Sequence, residues 1–421
     1  MRGTSRCHQD VPVKTISLEQ AAHVFAGLPD NPRVVTSGNF ATPLATLAVL
    51  DANVANYRLN VLNGQAGLPD REGVVLETVF VGPGMRKSPR LRYVPCRLSL
   101  LPTLFENHFR PDVVLLHVAP ARKGMLSLGI EVNVLPAAIE AARAAGALVV
   151  AQVNPQMPYT YGDAQIDPED VDLAVEVDAP ITNAVLPEPD EISRSIGALV
   201  AARIPDGATL QLGIGGIPDA VLGEIAGRRE GLRVWTEMIS DGILRLEKAG
   251  SLDASTVIRP SFLFGSTELY EWVDGNERVR MIRTEKANDP GLISRQPLMT
   301  SVNAALQVDL FDQANASRIN GRIYSGFGGS TDFIVGAMHA RGGQAFVALA
   351  SWHPKANVST IVPLLDERVT HLQHTAVVTE RGVAEMIGYS QNEQARSLID
   401  NCAHPDARDE LEEEAVALDL L

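Results

Sequence analysis

The chain has 421 residues, 45% of them hydrophobic, which suits two or three ordinary domains and rules out a disordered chain. Lysine and arginine number 36 against 51 acidic residues, a formal charge of −15. That balance argues against a nucleic-acid partner and against an anionic membrane surface, but leaves room for a small anionic ligand held by a local cluster of arginines.

Taken in chain order, the first 14 residues lack the apolar core of a signal peptide, and no run approaches the roughly 18 apolar residues of a spanning helix. The expectation is a soluble cytoplasmic protein. Residues 33–50 read as a strand, a turn at Ser37-Gly38 and a helix starting near Pro43. Arg86, Lys87, Arg90 and Arg92 make a local basic stretch, readable as a phosphate site or as a solvated loop. Residues 113–118 form an apolar strand in which His117 reads as a core residue; an alanine-rich helix (137–146) and a second strand (148–153) follow. Residues 178–194 carry three prolines before a helical run, and the domain boundary is placed there: residues 1–190, then 191–421. Residues 206–225 repeat the opening pattern of strand, glycine turn and helix, with Pro218 in the first turn. Residues 232–235 and 345–350 read as further strands, and 406–414 as an acidic, solvated helix face. This alternation predicts an α/β fold: two domains of similar open, mostly parallel sheets with flanking helices.

Three motifs stand out. Gly213-Ile-Gly215-Gly216-Ile-Pro218 follows a strand and opens a helix, where freed backbone N–H groups can meet an anion. It is not a Rossmann fingerprint, because Pro218 stands where glycine is required, and no Gly-Lys-Ser/Thr follows to make a P-loop. Glu237, in Thr236-Glu237-Met238-Ile-Ser-Asp241-Gly242, sits at the carboxyl end of a strand, where open α/β sheets build their sites; a plain surface glutamate is the bland alternative. The cluster Ser325-Gly326-Phe-Gly328-Gly329 offers either an oxyanion hole or a simple glycine turn. It is not a hydrolase elbow, since Asp332 occupies the position G-x-S-x-G reserves for glycine. His371 and His374 are three apart without an H-E-x-x-H, and no metal site is expected. Cys7, Cys96 and Cys402 are far apart and read as reduced thiols.

Further segments join these: Gly82-Pro-Gly84-Met-Arg86-Lys87, Asn154-Pro-Gln156-Met-Pro158, Phe264-Gly265-Ser-Thr-Glu268-Leu-Tyr270, Ser301-Val-Asn303 with Asp309, Val377-Val-Thr-Glu380 and Ala403-His-Pro405. With them the chain resembles the acetyl-CoA hydrolase/transferase family, a branch of the family I CoA-transferases that includes 4-hydroxybutyrate and acetate CoA-transferases. The resemblance implies Glu237 as nucleophile, Gly328 and Gly329 as oxyanion hole, and Asn303 beside the acyl group. It also implies Gly213, Gly215 and Gly216, with Gly326, at the coenzyme A pocket. No cofactor is expected to be permanently bound: coenzyme A is a substrate, exchanged between an acyl-CoA and a short-chain carboxylic acid by a homodimer or larger homo-oligomer. A hydrolase using the same glutamate and a non-catalytic acyl-CoA binding protein are the alternatives. The chain leaves the family pattern at two places, Ser330-Thr331 before Asp332 and the basic pair Arg122-Lys123. Both bear on the choice of acceptor.

Overall fold

A computed structural model describes residues 13–184, 187–367, 369 and 372–421; Cys7 and His371 lie outside them. Contacts divide the chain into two compact units, each with its own sheet. The first holds residues 13–94, Leu100–Asn183 and Tyr270–Arg283; the second holds Pro95–Ser99, Ala184–Leu269 and Thr284–Leu421. Relative to a cut at 190/191, the second unit begins at Ala184 and also takes Pro95–Ser99, while the first takes Tyr270–Arg283. Tyr270–Arg283 belongs to the first unit because Arg280–Met281 pairs in parallel with Tyr161–Gly162, and because Asp274 accepts hydrogen bonds from the Tyr159 amide (2.7 Å) and the Arg122 guanidinium (2.9 Å).

In the first unit eight parallel strands run in the order Thr15–Ile16, Leu173–Glu176, Leu148–Val153, Val113–Arg122, Arg33–Thr36, Tyr57–Asn60, Val74–Thr78 and Leu91–Tyr93. Val113, Val114, Leu115 and Leu116 are completely buried. Strands of a parallel sheet covered on both faces read as continuous apolar runs, which is why this one is legible in the sequence. His117 is a satisfied core residue: its Nδ1 lies 3.2 Å from the Ala41 carbonyl and its Nε2 3.1 Å from the Asn154 amide, and burial pushes its pKa down to about 4. Arg90 and Arg92 pair with Asp70 and Glu77. Arg122 pairs with Asp274 and lies over the Tyr159 ring, while Lys123, at φ 52°, takes the tight turn between Val113–Arg122 and Met125–Ser127.

The second sheet runs Arg233–Val234, Thr209–Leu212, Met299–Ala304, Gln344–Ala348, Ala376–Thr379 and Gly382–Glu385, parallel except for the last pair. The strand expected at the start of 206–225 spans Thr209–Leu212, and Ile214, in the glycine turn after it, is exposed. The helix expected at 137–146 spans Leu135–Ala145 and is closed by Gly146 in the left-handed conformation. The acidic tail forms the helix Arg408–Ala417, which buries Leu411 and Ala415 in the second unit's core and turns its carboxylates outward.

Candidate active site

All of the following residues belong to the second unit. The edge strand expected over 232–235 pairs regularly only at Arg233–Val234, and Trp235 then bridges Arg259. The Trp235 indole N–H donates to the Ala287 carbonyl at 3.0 Å. The Thr236 hydroxyl donates to the Met238 carbonyl at 3.0 Å, folding the backbone tightly around Glu237. The Glu237 carbonyl accepts the amides of Ser261 (2.8 Å) and Phe262 (2.9 Å). Glu237 thus stands at the end of a parallel strand on a backbone pinned from both sides.

Its carboxylate is held just as closely. Asn288, fully buried, donates from Nδ2 to Oε2 at 3.1 Å. A Cβ added to Gly329 would lie 2.0 Å from the same oxygen and 2.0 Å from Asn288 Nδ2, so only glycine lets the chain pass this close. Gly328 is left-handed, at φ 55°, and its carbonyl accepts the Leu98 amide at 3.0 Å. Gly329 caps the start of the helix Ser330–His339. Among the described residues neither the Gly328 nor the Gly329 amide finds an acceptor. Two N–H groups with no internal use, at the positive end of a ten-residue helix beside a carboxylate, can receive the negative charge that develops on a carbonyl oxygen.

Asp332 lies in the first turn of that helix, completely buried, accepting from the Ser99 hydroxyl at 2.9 Å with the Arg97 guanidinium 3.7 Å away. Burial pushes its pKa up to about 6. Burial also pushes Glu237 up to about 7; the Asn288 hydrogen bond pulls it down and the Asp332 charge pushes it up. A carboxylate of that strength is ionised in useful proportion near neutrality, and is more basic than an exposed glutamate.

The other residues singled out in the sequence fall into two groups. Gly213 shares a crevice with Leu210, Leu212, Thr236, Met238 and Ser240, next to the Glu237 segment. Gly213 and Gly215 have nothing within 4 Å of where a Cβ would lie, and Gly215 (φ 129°) caps the helix Gly216–Ile225, so the turn forms an open cradle at a helix start. Asn303 and Gly326 line a separate cleft of about 550 Å³, open to solvent, with Phe327 and Ser330. The Asn303 amide donates to Ser301 Oγ at 2.9 Å and meets Gln211 at 3.4 Å, within a polar network on the sheet. The glycine turn 326–329 and the helix start at Ser330 join the two places: Gly329 touches the carboxylate, and Ser330 lines the cleft.

Sequence reasoning passed over Asn288 and the charge of Asp332. Asn288-Asp289-Pro290 carries only a turn-and-helix-start signal, which says nothing of a carboxylate 51 positions earlier in the chain. Cys96 and Cys402 are free thiols. Among the described residues, no three of His, Cys, Asp and Glu gather as metal ligands, and no helix is long and apolar enough to cross a membrane.

Comparison with known proteins places this geometry in context. Residues 69–187 match the model of the acetyl-CoA hydrolase/transferase N-terminal domain, and residues 265–415 that of the C-terminal domain. The 4-hydroxybutyrate coenzyme A transferase of Clostridium kluyveri is 36% identical, over 94% of this chain and 96% of its own. The crystal structure of RipA from Yersinia pestis superposes with a TM-score of 0.89 at 27% identity, over 97% of this chain and 98% of its own. That of a 4-hydroxybutyrate CoA-transferase from Porphyromonas gingivalis gives 0.81 at 30% identity, over 96% and 98%.

Proposed function

The chain belongs to the acetyl-CoA hydrolase/transferase family and is an enzyme of that family; from that premise we propose that it moves coenzyme A between a short-chain acyl-CoA and a carboxylic acid, with Glu237 as the covalent nucleophile. The observation that carries this reading is the Glu237 carboxylate, clasped between the Asn288 amide and Gly329, with its pKa raised to about 7.

In the first step a Glu237 oxygen attacks the thioester carbonyl. The C–S bond breaks, coenzyme A leaves as thiolate, and an acyl-glutamyl anhydride remains. The amides of Gly328 and Gly329 accept the charge on the tetrahedral oxygen, and losing one such donor typically costs ~3 kcal/mol. The thiolate then attacks the glutamyl carbonyl. The anhydride C–O bond breaks, the first acid departs as carboxylate, and a glutamyl-CoA thioester remains. The acceptor carboxylate runs the same two steps in reverse, restoring Glu237 and releasing the new acyl-CoA. The cycle is ping-pong. The open turn at Gly213 and Gly215 suits the coenzyme A pocket, whose remote binding energy helps to drive the uphill first step. A homo-oligomer in the cytoplasm, without a permanently bound cofactor, is part of the same reading.

Glu237 keeps a partial opening to solvent, which favours hydrolysis as the second reading, since water can intercept either intermediate. Both readings are tested by incubating acyl-CoA with and without acetate and following free thiol and new acyl-CoA by mass. Exchange that needs acetate, is lost in a Glu237→Ala variant that stays folded by circular dichroism, and is blocked by borohydride only after acyl-CoA is added supports the transferase. Near-native exchange by Glu237→Ala would overturn it, and thiol release without acetate would make the enzyme a hydrolase.

A further inference from the structure

The cleft beside Asn303, Gly326 and Ser330 is walled mostly by apolar residues, Ala304, Ala314 and Ile334 among them. His374 is different. It lines the cleft yet is only 1% exposed, and its Nδ1 lies 2.7 Å from Asp312 Oδ1. Its backbone amide donates to the other oxygen of the same carboxylate at 3.2 Å, so the ring is held at two points. Asp312 is itself buried and adopts the left-handed conformation, at φ 60°, which aspartate tolerates better than most residues. Because the carboxylate accepts at Nδ1, the Nδ1 proton is fixed and Nε2 is the free end of the ring. Nε2 is buried and has no hydrogen-bond partner among the described residues. A buried polar atom without a partner costs about 1–3 kcal/mol, which a ligand group in the cleft would recover.

We propose that this cleft receives the distal end of a short acyl chain and that His374, oriented by Asp312, is a specificity-determining group there, reading a hydroxyl on the chain through Nε2. This rests on the transferase reading above. It adds to that reading a cleft that shares the glycine turn 326–329 with Glu237. A hydroxyl both donates and accepts, so it satisfies Nε2 whichever protonation state the ring holds. A terminal carboxylate does so only when the ring is charged, and a methyl group never does. The arrangement is a dyad used for orientation: the aspartate fixes the ring, and the ring meets the substrate. No bond of the reacting thioester is made or broken there.

The test measures kcat/KM for exchange with 4-hydroxybutyrate, pentanoate (a methyl in place of the hydroxyl) and succinate as acceptors, in the native enzyme, His374→Leu, His374→Gln and Asp312→Gly. The glycine variant suits the left-handed backbone and frees the ring without filling the cleft, so it keeps the test open if His374→Leu fails to fold. The native enzyme should favour 4-hydroxybutyrate over pentanoate by about 10–100-fold, the ratio that one buried polar atom left unpaired by the methyl analogue implies. His374→Leu should bring the ratio to about 1, Asp312→Gly should lower it, and His374→Gln should restore part of it. A purely structural role would depress both acids together, and an unmoved ratio in the folded variants overturns the assignment. A native preference for succinate overturns the hydroxyl. Failure of the native enzyme to exchange any acid, acetate included, overturns the transferase reading instead.

Discussion

The second unit contains two glycine turns that look alike in sequence and differ in what they face. Each follows a strand and opens a ten-residue helix, Gly216–Ile225 or Ser330–His339. At Gly213 and Gly215 a side chain would meet nothing within 4 Å. At Gly329 the first added carbon would lie 2.0 Å from Glu237 Oε2. One turn leaves its helix start open to a ligand from outside; the other applies its helix start to a carboxylate of the same chain. Glycine is used in the first for backbone shape and approach, and in the second because no side chain fits.

The largest expected effect separates the two turns directly. Gly329→Ala must displace either Glu237 or the Asn288 amide, and exchange should fall by about 10²–10³-fold, the scale on which loss of oxyanion donors is felt. The measurement is kcat for a fixed donor and acceptor, with circular dichroism to show that the fold persists; activity within threefold of native would mean the loop does not serve Glu237. Next comes pH. With Glu237 at about 7, kcat/KM should lose about tenfold per unit as pH falls below 7, and a profile flat down to pH 5 would contradict the raised value. The same shift has a consequence for stability. The folded pKa lies above the ordinary 4.5, so the folded state holds this proton longer than the unfolded one. The stabilisation is complete below about 4.5 and is lost as pH rises through 7. Glu237→Gln, inactive, should therefore be more stable than native at pH 8, by about 1–3 kcal/mol, and should lose that advantage at pH 4. Denaturant titrations at the two pH values check it. The smallest effect belongs to the open turn: Gly213→Ala should leave the melting temperature within a few degrees and raise KM for the acyl-CoA a few-fold, because the only thing a methyl can obstruct there is a ligand.

Much of the fold was legible because its signals are local. The parallel strands at 113–118 and 148–153 announce themselves as apolar runs, and the structure has them as Val113–Arg122 and Leu148–Val153. Gly146 after an alanine-rich stretch marks a helix end, and it closes that helix. The strand ends were read less well. The run at 210–214 is apolar but for Gln211, and Gly213 turns the backbone at Leu212, so the hydrophobicity of Ile214 gives no clue to its exposure. The segment Tyr270–Arg283 shows no sequence sign that it joins the first unit, because its pairing with Tyr161–Gly162 is non-local.

By itself, then, the sequence determined the α/β class, the positions of the two glycine turns, and Glu237 at the end of a strand in a segment that resembles a known family. Tertiary structure alone decided what surrounds that carboxylate. Asn288 reaches Glu237 across 51 positions, Ser99 reaches Asp332 across 233, and Asp312 reaches His374 across 62. A residue type and its neighbours in sequence report backbone shape and burial pattern. They do not report which distant polar atom closes on a carboxylate or imidazole, and in a largely desolvated site that partner helps to set the proton affinity and the direction in which the group can act.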